Sequence, residues 1–322
     1  MQGKIAVEEH FGTVATAAKS VRHPQSGYWS AIESKLIDLF DRRLAEMDAC
    51  GIEYEVLSLN ANGIQEVPDA GKAVELARTA NDALAAAVAK RPDRFAAMAA
   101  LPMQDPQAAA AELCRCVREL KFKGALVNGF SQVGSADTAV YYDLPQYRPF
   151  WAEVERLNVP FYLHPRYSLP SRRQRYDGHP WLIGSPWDFA EEAAIHALRL
   201  MGCGLFDEMP KLQIVLGHLG ERIPFDLWRL DHRMKMLPNR PAKRTMAEYF
   251  RNNFYVTTSG NFCTQSLIHT MLTIGADRVL FAVDYPFEDH AQAASWFDGV
   301  EIAEGDRAKI GRGNARKLFA LD

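Results

Sequence analysis

The sequence predicts an α/β chain folded as a (β/α)8 TIM-type barrel, and two observations carry that expectation. Short apolar runs alternate with longer amphipathic ones from end to end, the pattern of a parallel sheet with crossover helices. Four of the apolar runs end in a carboxylate or an imidazole, and the C-terminal ends of the strands are where such a barrel keeps its chemistry. With 322 residues, 48% of them hydrophobic, the chain can bury the core of one barrel, and 1–322 is read as a single domain.

The first strand lies near residues 5–7 in Lys4-Ile5-Ala6-Val7-Glu8-Glu9-His10. Side chains alternate along a strand, so Glu8 and His10 project the same way and form half of a metal site. Seven further strands are expected near 54–59, 95–100, 124–127, 161–163, 213–216, 255–257 and 279–282. Amphipathic stretches over 72–90, 106–120, 187–202 and 264–274 read as crossover helices, with a last helix over 314–319. Two connections, 11–33 and 165–186, are longer than usual and are expected to wall a pocket.

Three later strands complete the half-site: Phe161-Tyr162-Leu163-His164, Ile214-Val215-Leu216-Gly217-His218 and Val279-Leu280-Phe281-Ala282-Val283-Asp284. Glu8, His10, His164 and Asp284 together offer two carboxylates and two imidazoles, a donor set suited to one Zn²⁺ or Mn²⁺. His218 precedes Glu221 by three residues, so the carboxylate can receive the ring proton. That pair is read as acid/base support or, alternatively, as an extra ligand or a capped helix start. Asn128 ends the fourth strand, which carries no lysine there; many related hydrolases hold two metals through a bridging carbamylated lysine at that strand, so a mononuclear site is expected. Asn128 is either a donor to a substrate oxygen or a turn residue before Gly129. Arg229 is a candidate fork for a substrate carboxylate, or a helix-surface ion pair with Asp226 or Asp231. His23 and His179 lie in the two long segments and are weaker pocket candidates.

Charge and composition exclude other classes. The formal net charge of -3 gives no basis for nucleic-acid or membrane binding, so a small metabolite is the expected partner. No leader-like or membrane-spanning stretch is evident, which makes the cytoplasm the expected address. Five scattered cysteines do not read as a disulfide framework, and Cys114 and Cys116, two apart on an expected helix, do not face one another. Gly311-Arg312-Gly313-Asn314 opens the last helix without a following strand and is no phosphate loop.

Several blocks in order carry a resemblance through nearly the whole chain: Gly3 to His10, Lys90-Arg91-Pro92-Asp93-Arg94-Phe95, Gly124 to Phe130, Tyr141-Tyr142-Asp143, Tyr162-Leu163-His164-Pro165-Arg166, Gly217 to Glu221, Thr257-Thr258-Ser259-Gly260 and Asp284-Tyr285-Pro286-Phe287-Glu288. The chain resembles the hydroxybenzoate decarboxylases of the amidohydrolase superfamily. That resemblance implies an amidohydrolase-like barrel, a homotetramer, one Zn²⁺ or Mn²⁺ per subunit with no organic cofactor, and a small aromatic carboxylic acid as substrate. It also implies Asp284 as proton donor, supported by His218 and Glu221. Relatives acting on 2,3-dihydroxybenzoate or 5-carboxyvanillate tend to have Ala at the His10 position, so the expected reaction is reversible, non-oxidative decarboxylation of 2,6-dihydroxybenzoate to resorcinol and CO₂, by protonation of C1 and then carbon-carbon cleavage. Other ortho-hydroxybenzoates such as 2,3-dihydroxybenzoate and salicylate come next, and a metal-dependent lactone or amide hydrolase or a non-catalytic aromatic-acid binder stand further off.

Overall fold

The computed structural model describes residues 1–17, 26–237 and 240–321. Eight parallel strands follow one another around a nearly closed barrel: β1 (Lys4–Phe11), β2 (Ile52–Leu59), β3 (Phe95–Ala99), β4 (Gly124–Asn128), β5 (Phe161–His164), β6 (Ile214–Leu216), β7 (Phe254–Thr257) and β8 (Val279–Leu280). The (β/α)8 expectation is borne out. Inside, one apolar layer takes residues from every strand, among them Val7, Val56, Met98, Leu126, Val215 and Leu280. The alternate residues, such as Leu57, Ala97, Val127, Leu163 and Val256, face out and bury the helices against the sheet.

Some of the helices start at a side-chain cap that the sequence supplies. Asp69 accepts from the Lys72 N–H at the head of Ala70–Val88. Asp105 accepts from two N–H groups ahead of Pro106–Arg118, whose first position is the proline that a helix start tolerates. Thr245 and Glu248 form a reciprocal capping box at Met246–Asn253. Asn158, in the left-handed region, ends Arg148–Leu157 and turns the chain into β5.

Three expectations need correction. β1 runs to Phe11 rather than stopping at residue 7, and carries a bulge: Ala6 pairs with Glu55 but Glu9 with Leu57, so β1 spends one residue more than β2. β8 ends at Leu280 instead of 282. The segment 11–33 is not one long loop, because a short helix (Val14–Ala17) follows β1 and another (Ser26–Ile37) begins inside it. Residues 18–25 of that segment, His23 included, lie outside the described residues. The segment 165–186 is built around two short 3-10 turns, Pro170–Tyr176 and Pro180–Leu182, and Arg173 ties the first back to the Ser168 carbonyl.

Candidate metal centre

Glu8, His10, His164 and Asp284 each bring one donor atom to a common point, all within 4.8 Å of one another. The bulge makes this possible. With Ile5 and Val7 already facing the interior, strict alternation would send Glu8 and His10 outward. The extra residue turns both inward and leaves Glu9 facing out.

Each donor is held by further groups. Tyr162 Oη, Thr257 Oγ1 and Ser259 Oγ all donate to Glu8 Oε2, which directs the other oxygen toward the cluster. Glu8 Oε1 is buried and has no hydrogen-bond partner among the described residues. His10 Nδ1 lies 3.3 Å from Ser58 Oγ, leaving Nε2 to face the cluster 3.1 Å from Asp284 Oδ1. Burial and the neighbouring His10 push the His164 imidazole well toward its neutral form, whose lone pair a metal needs. Burial, with Asp284 adding to it, raises the Glu8 carboxyl above the ordinary range. A bound cation relieves both penalties. The orphaned oxygen, the neutral imidazole and the donor set therefore fit one divalent ion.

His218 stands beside this cluster, with Nε2 3.6 Å from Asp284 Oδ2 and 4.0 Å from Glu8 Oε1. Its Nδ1 lies 2.7 Å from Oε1 of the buried Glu221. Burial opposes a charge on the ring, but Glu221, Glu8 and Asp284 outweigh it and move the His218 pKa well above the usual value. For Asp284 burial likewise opposes ionisation, and hydrogen bonds from His10 and His218 more than offset it, holding the carboxyl far below its usual range.

The peptide around His218 is not the helix start allowed above. His218, Leu219, Gly220, Glu221 and Arg222 all have positive φ, between 51° and 87°. Left-handed backbone costs a non-glycine residue roughly 1–2 kcal/mol. The turn folds Glu221 back onto the ring of His218, and the His218 N–H donates to Ser259 Oγ.

Of the remaining candidates, Asn128 sits at the end of β4 in register with His164, with its Oδ1 buried and unpartnered among the described residues. Arg229 is exposed on the helix Ile223–Met234 and has no ion-pair partner among the described residues. With Arg222, Arg233 and Glu191 it lines a groove of about 810 Å³ against the helix Asp188–Gly202, and none of the four clustered residues reaches that groove. His179 packs on Trp181 in the loop it was placed in. Tyr162, Thr257, Ser259, Ser58 and Glu9 were not singled out as site residues. The one signal for two of them is the spacing of hydroxyls at 257 and 259, which puts both on one face of the strand end.

A second buried trio, Glu9, Glu55 and His290, also lies close enough to hold an ion. Its atoms are taken: Glu55 accepts from Arg43 at 3.1 Å and pairs with His290 at 2.8 Å, while both Glu9 oxygens accept peptide N–H groups. The donors of that trio are satisfied without a metal.

The family model for amidohydrolases matches residues 34–321. The chain belongs to the amidohydrolase family. This amidohydrolase is 59% identical to the γ-resorcylate decarboxylase of Rhizobium sp. (strain MTP-10005), over 100% of the chain and 99% of the relative. It superposes on a crystal structure of 2,6-dihydroxybenzoate decarboxylase complexed with 2,6-dihydroxybenzoate with a TM-score of 0.97, at 58% identity and full coverage of both chains. The dihydroxybenzoic acid decarboxylase of Polaromonas sp. JS666, solved with manganese and the inhibitor 2-nitroresorcinol, gives a TM-score of 0.97 at 55% identity, covering 100% of this chain and 98% of that one. The resemblance read from the sequence blocks is borne out over the whole chain.

Proposed function

We propose that this amidohydrolase is a carboxy-lyase that decarboxylates ortho-hydroxybenzoates without oxidation, with 2,6-dihydroxybenzoate giving resorcinol and CO₂. One observation carries the reading: a four-donor cluster whose Asp284 turns its second oxygen toward His218, the imidazole that Glu221 holds. The relatives named above supply the substrate.

An ion held by Glu8, His10, His164 and Asp284, Mn²⁺ or Zn²⁺, supplies Lewis-acid polarisation and orients the substrate's oxygens. Loss of CO₂ straight from the benzoate would leave an aryl anion in the ring plane, without resonance help. An ionised ortho hydroxyl instead feeds electrons into the ring while C1 takes up a proton. Asp284 is the donor in this reading. Its Oδ1 belongs to the cluster, and its Oδ2, ionised in the resting site, takes the proton from His218 only as that proton moves on to C1, so Asp284 relays the proton rather than storing it. Glu221 stabilises the imidazolium before transfer. The carbon-carbon bond then breaks, its electron pair restores the aromatic ring and the phenolate, CO₂ leaves, and solvent returns one proton to His218 and one to the phenolate oxygen, giving resorcinol. Asn128, with its free acceptor beside β5, orients a substrate hydroxyl.

A homo-oligomer, tetrameric by the resemblance, belongs to the same reading. Phe225 and Trp228 are 79% and 74% exposed on the helix that carries Arg229, which suits a face covered by another copy and an Arg229 that meets substrate only in the assembly. Among the described residues no helix is long and apolar enough to cross a membrane, and all five cysteines are free, which suits a reducing cytoplasm.

The test is to incubate metal-analysed protein with 2,6-dihydroxybenzoate and follow substrate, CO₂ and resorcinol together. Equal amounts of both products, abolished by chelation and restored by Mn²⁺, are expected. Absence of turnover in metal-replete protein across the ortho-hydroxybenzoates would overturn the proposal.

A further inference from the structure

The backbone that carries Asp284 has no strand ladder on its β1 side. β8 stops at Leu280, and the next residues are held one by one: Phe281 N–H by the Ile310 carbonyl, and Ala282 by Thr258 Oγ1. Asp284 then adopts φ +79°, a conformation that a non-glycine residue keeps only where its surroundings fix it. Both N–H groups flanking it donate to one side chain. Val283 N–H meets Glu9 Oε1 at 2.8 Å and Tyr285 N–H meets Glu9 Oε2 at 3.1 Å. Glu9 is fully buried, and it leaves the barrel on the face opposite to Glu8 and His10.

We propose that Glu9 is a positioning residue for the reaction: its carboxylate, gripping the peptide on either side of Asp284, sets the separate aims of Asp284 Oδ1 at the metal ligands and Oδ2 at His218. The inference rests on the reading of Asp284 as ligand and proton donor. Packing alone does not call for this group, since an apolar side chain would fill the space and leave two buried N–H donors without acceptors. The same buried base also references the other side of the site. The His10 N–H donates to the Tyr285 carbonyl at 2.7 Å, and Arg43, paired with Glu55 and stacked 4.5 Å over Tyr285, donates to the His10 carbonyl. His10 and Asp284, which lie 274 residues apart in the chain, are thereby fixed against one another through backbone atoms.

Glu9→Gln tests this. Glutamine keeps the volume and one acceptor but sets an NH₂ group against one of the two N–H donors. With the protein freed of metal and titrated with Mn²⁺, the variant is expected to bind the ion roughly 10- to 100-fold more weakly, with an altered electron paramagnetic resonance spectrum. At saturating Mn²⁺ its kcat stays about tenfold or more below wild type while KM for 2,6-dihydroxybenzoate changes little, the signature of a lost transition-state alignment. A folded Glu9→Gln with Mn²⁺ affinity and kcat within about twofold of wild type, under one kcal/mol in either, overturns the proposal. Should the variant not fold, residue-resolved amide exchange on the wild-type protein decides. Strong protection of Val283 and Tyr285 without metal is expected, and exchange at the rate of an open loop overturns the clamp. Neither Mn²⁺ titration nor exchange needs turnover, so a protein inert toward every ortho-hydroxybenzoate would sink the decarboxylase reading while these two measurements still judge Glu9.

Discussion

Asp284 offers its two oxygens to different partners, and its replacement should show that division. In Asp284→Asn one acceptor is kept and the oxygen proposed to pass the proton is lost, so kcat is expected to fall by about 10²–10⁴-fold. Mn²⁺ content measured beside the rate separates lost chemistry from lost metal. Glu221→Gln acts one atom further away. The Glu221 anion is what raises the His218 pKa against burial, so its removal lowers that pKa. The imidazolium then disappears at a lower pH, and the alkaline limb of the kcat profile moves downward with roughly a 10²-fold loss at its plateau. An unmoved limb would show that His218 is not the proton source. At this scale much of the site was legible. Glu8, His10, His164 and Asp284 each close an apolar run, and the three-residue spacing of His218 and Glu221 is visible by eye. Tyr162, Thr257 and Ser259 were not, because a tyrosine or threonine inside a strand reads as an ordinary β-former and the oxygen it serves lies up to 251 residues away.

At the scale of elements, alternation paired Glu8 with His10 for an incomplete reason. Glu8 and His10 do share a face, but that face is the interior only because a bulge inserts a residue after Ala6. Nothing in Ala6-Val7-Glu8-Glu9 marks it, since a bulge is decided by what pairs alongside. The turn after β6 was equally hidden. Five consecutive positive φ values are a tertiary outcome, and Gly220 is their single local sign. Gly220→Ala measures what the turn is worth. Its backbone sits at φ +87°, and an added Cβ would lie 3.0 Å from Val256 Cγ1 and 3.1 Å from both Phe250 Cζ and Pro224 Cδ. A loss of about 1–3 kcal/mol in denaturant unfolding is expected, together with reduced kcat as Glu221 shifts from His218. Helix positions were read well where a cap or proline marks them, as at Pro106, while β8 was read too long because Phe281 and Ala282 continue its apolar pattern after its pairing ends.

For the whole molecule, the buried base beneath the site predicts how stability follows pH. Burial disfavours a charge on His290, but Glu46 and Glu55 overcome it and carry its pKa up to about 9. A pKa raised on folding means that this stabilisation is complete below about pH 6.5, fades as pH rises, and is gone above about pH 9. Unfolding free energies should therefore fall by on the order of 2–3 kcal/mol across that window in wild type, and by much less in His290→Gln. Metal removal should lower the melting temperature as well, with recovery on adding Mn²⁺ that scales with its concentration, because the ion binds only the folded cluster. The order of the donors along the chain has a further consequence during synthesis. Glu8 and His10 emerge from the ribosome first, His164 follows, and Asp284 comes last of the four. A nascent chain that has not yet reached Asp284 holds at most three donors and lacks the segment that Glu9 grips. Capture of manganese or zinc by the whole cluster therefore waits until every strand of the barrel has been made.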